Sequence, residues 1–94
     1  MTLEIRLYGE FKDKAYGKGT IESNIGIINM ERESFGKISE VLDFLNIKKE
    51  RTSHIFLNGE YSSYERKIPE KNSRIAIFPR EMALLYKWYF SPKE

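Results

Sequence analysis

His54 is the only histidine in the chain, and Ser53 precedes it. A hydrolytic centre needs a nucleophile, a base and a group that orients the base. Neighbours in an extended strand turn their side chains to opposite faces, so no Ser53–His54 catalytic pair is expected. An ordinary surface or edge histidine is predicted instead. The chain has no cysteine, which removes thiol nucleophiles, disulfides and Cys-based zinc sites together. Its carboxylates are scattered. Glu31 and Glu33 could share one face of a strand, but no Asp/His set has metal-ligand spacing. Gly17-Lys18-Gly19 lacks the strand-to-helix context of a phosphate-binding loop. The residues therefore predict no catalytic site, no metal, no bound cofactor and no enzyme.

Two other groups could act by binding. Lys48, Lys49 and Arg51 follow a candidate helix, where cations complement the negative end of its dipole. With Arg66, Lys67 and the rings of Tyr61 and Tyr64 they would suit a single-stranded nucleic acid. The interleaved Glu50, Glu60 and Glu65 argue against that, as does a net charge of only +2. The second group is the segment Met82 to Phe90. It has one charge, Lys87, and holds Tyr86, Trp88, Tyr89 and Phe90. Met, Trp and Tyr are enriched at interface cores. As a strand, Met82, Leu84, Tyr86, Trp88 and Phe90 share a face. As a helix, Met82, Leu85, Tyr86 and Tyr89 do. Periodicity does not choose between them. The segment covers its own domain or binds a partner, and both can hold; a disordered tail is the remaining reading.

Elements must position these residues, and 94 residues suffice for one domain. Apolar residues make up 40%, enough for a core, and charged residues 32%, which gives a heavily charged surface. No apolar run approaches the ~20 residues of a membrane helix. Glu4, Arg6 and Glu10 argue against a signal peptide, so a soluble cytoplasmic protein is expected.

Leu3, Ile5 and Leu7 alternate with Glu4 and Arg6, the pattern of a half-buried strand. Gly9 to Gly19 reads as a wide loop. Ile21 to Met30 reads as a second strand, forming a hairpin with the first. Ile38, Val41, Leu42 and Leu45 mark one face of a helix over Lys37 to Leu45, with Asn46 at the left-handed cap position and Ile47 folding back. His54 to Leu57 is a short strand ending in the Asn58-Gly59 turn, and Glu60 to Tyr64 pairs loosely beyond it. Arg74 to Phe78 is the last strand, stopped by Pro79. A sheet crossed by one helix buries both apolar faces, with the first and last strands as natural central neighbours.

Ile55-Phe56-Leu57-Asn58-Gly59-Glu60, followed by Ile68, a polar turn and Arg74-Ile75-Ala76-Ile77-Phe78-Pro79, resembles the MoaD/ThiS family of ubiquitin-like sulfur carriers. Arg6-Leu7-Tyr8-Gly9-Glu10-Phe11 and Ile38-Ser39-Glu40-Val41-Leu42 share the resemblance, which spans roughly residues 3–79. It implies an α+β fold of β-grasp type: a mixed sheet of four to five strands on one main helix, here with an extra C-terminal segment. Family members carry sulfur on a terminal Gly-Gly, which can thread an activating enzyme because glycine has no side chain. This chain has no glycine after Gly59, so that chemistry maps onto none of its residues.

The expected organisation is a β-grasp domain over residues 1–80 and an aromatic extension over 81–94. The expected function is a non-catalytic interaction module, contacting a protein partner or a second copy of itself through the sheet and through Phe78, Met82, Leu84, Leu85, Tyr86, Trp88, Tyr89 and Phe90. The resemblance implies an accessory place in sulfur or molybdenum/tungsten cofactor metabolism. The alternative is a sulfur carrier or molybdopterin-synthase-like small subunit with an atypical terminus.

Overall fold

The computed structural model describes residues 1–80. Six strands form one mixed sheet: β1 (Thr2–Leu7), β2 (Thr20–Glu22), β3 (Ile25–Glu31), β4 (Thr52–Leu57), β5 (Glu60–Tyr61) and β6 (Ser73–Pro79). Their order across the sheet is β2-β3-β1-β6-β4-β5. β1 and β6 lie parallel at the centre, with Ile5 opposite Ile75, and every other pair is antiparallel. One helix, α1 (Ile38–Phe44), packs on a single face. This is the β-grasp arrangement.

The core follows from period. Leu3, Ile5 and Leu7 of β1, Ile55 and Leu57 of β4, and Ile75 and Ile77 of β6 all point to one side and are buried. They meet Ile38, Val41, Leu42 and Leu45, the helix face that the 3.6-residue spacing marks. Asn46 adopts φ +58°, and the Ile47 amide donates to the Leu42 carbonyl at 2.9 Å. This closes the helix end and buries Ile47 as its spacing predicts.

Three local expectations change. Residues 9–19 are not an open loop: Gly9–Ala15 forms a 3₁₀ helix that plugs Phe11 and Ala15 into the core. Gly26 makes that approach possible, since a Cβ there would lie 2.6 Å from the Lys12 carbonyl oxygen. Ile21 to Met30 is not one strand. Ser23 and Asn24 take φ +53° and +66°, turning the chain so that β2 pairs back on β3. Strict alternation within this stretch then splits the isoleucines, Ile28 facing the core and Ile25 and Ile27 the opposite face. The split of this stretch and the two-residue β5 raise the sheet to six strands from the four to five expected.

Arg32 follows β3 directly and is buried. Its guanidinium donates to the carbonyls of Ile68 and Pro69, and to that of Phe35 at 2.7 Å. Glu70 adds an ion pair at 3.3 Å. Among the described residues every buried side-chain nitrogen and oxygen has a hydrogen-bond partner.

Candidate functional site

The same alternation that fills the core places a second set of side chains on the sheet face turned away from α1. Strand register arranges them in rows. Arg6 lies opposite Ile27 and Ala76, Ala76 opposite Phe56, and Phe56 opposite Tyr61. One row toward β6's end, Tyr8 stacks on Phe78, with centroids 4.2 Å apart and planes 13° apart. The Phe56 ring meets Phe78 edge-on at 5.9 Å and Tyr61 at 5.7 Å. His54 meets Tyr61 at 5.3 Å. Five rings, from β4, β5, β6 and the residue that follows β1, thus form one continuous aromatic patch. Arg6, Tyr8, Phe56, Gly59, Arg74, Ala76 and Phe78 line a hollow in it of about 150 Å³.

A charged row borders the rings. Glu4 accepts from Arg74 Nε at 2.8 Å, directly across the β1–β6 pair, and from Arg6 Nε at 3.1 Å, two residues along its own strand. Burial pushes the Glu4 carboxyl up, but the hydrogen bonds and charges of Arg74 and Arg6 outweigh it and hold the group below its ordinary value. Burial likewise opposes the Arg6 charge, while Glu4 and the Tyr8 phenol facing it hold its guanidinium above its usual range. The patch therefore offers flat apolar rings beside fixed charges of both signs. Interface cores have this chemistry: aromatic anchors with arginine at the border.

Phe78, the first residue of the expected contact set, stands in the middle of this patch and is 1% exposed. Met82, Leu84, Leu85, Tyr86, Trp88, Tyr89 and Phe90 lie outside the described residues. Tyr8, Phe56 and Tyr61 were missed as members of the same surface. Alternation gave each its facing, yet only the register brings residues 8, 56, 61 and 78 together.

Ser53 and His54 do not turn away from one another. A register shift between Thr52 and His54 bends β4, and a bulge can bring two consecutive side chains to one side. Ser53 Oγ lies 3.0 Å from His54 Nδ1. Ser53 Oγ also donates to the Pro79 carbonyl at 2.9 Å. With that proton directed to the carbonyl, Oγ can accept from His54 when Nδ1 carries the ring proton. Ser53 thereby ties β4 to the end of β6. Glu31 and Glu33 share no strand face, because β3 ends at Glu31 and Glu33 sits in a 3₁₀ turn. Among the described residues no group of three His, Asp or Glu could hold a metal ion.

Two of the cations considered for nucleic acid are shared with carboxylates: Arg51 pairs with Glu10 at 2.9 Å and Arg66 with Glu60 at 4.0 Å. Lys49 lies over the Tyr64 ring at 5.1 Å from its centroid. Among the described residues no helix is long and apolar enough to cross a membrane.

No family model matches the sequence, and no curated protein is similar to it. Among solved structures the chain is similar to SAMP1 from Haloferax volcanii, with 13% identity and a TM-score of 0.55 over 84% of this chain and 94% of that one. At that identity the likeness is one of fold, and it makes this chain a small protein of ubiquitin-like β-grasp architecture.

Proposed function

We propose that this chain is a non-catalytic, ubiquitin-like protein-interaction module that binds its partner through the outer sheet face and the extension from residue 81 onward. The observation that carries this reading is the aromatic patch of Tyr8, His54, Phe56, Tyr61 and Phe78, bordered by Arg6 and Arg74. Monomeric proteins seldom leave rings so grouped without a use for them. The resemblance to MoaD/ThiS proteins supports a partner in sulfur or molybdenum/tungsten cofactor metabolism.

The test is to recover the native complex, identify the partner and measure its affinity for variants of the full chain. Tyr61 is 63% exposed on the patch, and Tyr16 is 69% exposed outside it. Tyr61→Ala should weaken binding by about 2 kcal/mol, roughly thirtyfold, as loss of an aromatic anchor does, while Tyr16→Ala leaves it unchanged. Equal binding by both variants overturns the contact face. A thiocarboxylate or adenylate on the native protein, read by intact mass spectrometry, overturns the non-catalytic role in favour of a sulfur carrier.

A further inference from the structure

Part of the sheet edge beside β2 is open, and register fixes which groups stand there. We infer that β3 pairs antiparallel, at Asn29–Glu31, with the same segment of a second copy of this chain, joining two sheets into one. The inference goes beyond the contact-face reading and does not depend on it.

Three observations carry it. The first is hydrogen-bond parity. The Arg32 amide donates to the Met1 carbonyl at 3.1 Å, which makes Met1 and Arg32 a bonded pair. Bonded and non-bonded pairs alternate along an antiparallel ladder. Leu3–Met30, Ile5–Ile28 and Leu7–Gly26 are therefore the bonded pairs of β1 and β3. Ile27, Asn29 and Glu31 turn their N–H and C=O groups to the other side, away from β1.

The second is how far β2 reaches. It pairs with β3 from Ile25 to Ile27 only. Continued in the same register, Lys18 would bond Asn29, but its amide donates instead to the Ala15 carbonyl at 2.9 Å. Among the described residues no strand runs farther along this edge. The main-chain groups of Asn29 and Glu31 thus face outward, and both residues are exposed. Open groups of this kind are a template for another strand.

The third is that the open segment complements itself. An antiparallel pair centred on Met30 sets each Asn29 opposite Glu31 of the other copy. The two residues exchange both main-chain hydrogen bonds, so every open group is used. A pair centred on Asn29 would set Glu31 against Ile27, which β2 already holds. A pair centred on Glu31 would set two carboxylates face to face and Asn29 against Glu33, which lies in a 3₁₀ turn. In the Met30-centred register the Asn29 amide instead meets the Glu31 carboxylate on the outer side of the sheet. Met30, half-buried against the core on the α1 side, meets its own copy there.

Sedimentation of the full-length chain should show a reversible dimer whose population rises with concentration. As the dimer fills, the Asn29 and Glu31 amides should gain protection from hydrogen exchange. The Ile28 and Met30 amides, already bonded to β1, should not. Glu31 has φ −71°, close to the angle that proline fixes, and its N–H points out of the sheet. Glu31→Pro therefore removes an edge donor and spares the β1–β3 ladder. It should weaken dimerisation roughly tenfold or more, with circular dichroism unchanged. Asn29→Asp sets like charges opposite one another and should weaken it too, and Glu31→Gln in the same chain should restore it. A monomer at every concentration overturns the inference. So does a dimer indifferent to both Glu31→Pro and Asn29→Asp, or one in which the Asn29 and Glu31 amides gain no protection. A dimer lost in Tyr61→Ala but kept in Glu31→Pro belongs to the outer face and overturns it as well. None of these outcomes bears on whether Tyr61→Ala weakens the identified partner, so the edge and the contact face fail separately.

Discussion

Glu4 shows how one residue takes its role from period and register together. Alternation along β1 turns it away from the core, and parallel pairing sets it opposite Arg74 with Arg6 on its other side. Its carboxyl is held below the ordinary value because the two arginines outweigh burial. The native state therefore binds fewer protons than the unfolded chain as pH falls toward and below 4.5. Stability from this group is complete above that unfolded value and is lost as pH drops through the lower folded one. Glu4→Gln should flatten the acid limb of stability against pH, measured by urea unfolding, and leave the slope near neutrality unchanged. His54 illustrates the opposite case. Its neighbour relation to Ser53 was plain in the sequence, but the bulge that brings Nδ1 to Oγ is a property of pairing with β6.

At the scale of elements, the connections hold what the strands alone would not. Arg32 gathers the carbonyls of Phe35, Ile68 and Pro69 and so fastens the segment before β6 to the link between β3 and α1. Lys37 and Lys67 form a backbone bridge alongside it. A planar guanidinium serves three acceptors at once, which an ammonium on a flexible stem does less well. Arg32→Met should cost about 3 kcal/mol, since it strands buried carbonyls as well as removing their donor. Arg32→Lys should recover only part of that in the same denaturation experiment. Legibility varied at this scale for a physical reason. Asn46 and Asn58-Gly59 were readable because their positive φ favours those residue types. Ser23-Asn24 takes the same left-handed conformation with a weaker signature, and its turn was read as continuous strand.

At the scale of the molecule, β1 and β6 meet at the sheet centre although nearly the whole described chain separates them. Glu4 and Arg74, 70 residues apart, bond across that junction. β1 also pairs with β3 and β6 with β4, but the two halves of the sheet join only when the chain has closed on itself. Unfolding should be one transition, with far-UV circular dichroism and tyrosine fluorescence coinciding in urea. A separate helix transition would contradict this. The patch is a property of the same scale, drawing on β1, β4, β5 and β6.

The sequence by itself determined the alternation that divides a core face from an outer face, and the helix stripe. These are local facts, set by the two-residue and 3.6-residue periods and by side-chain identity. The tertiary structure decided which outward residues become neighbours. Tyr8, Phe56, Tyr61 and Phe78 form one surface because strand register aligns them, and Arg32 is buried because three carbonyls from two segments converge on it. Register arises from pairing between segments distant in sequence, so no local pattern could encode it.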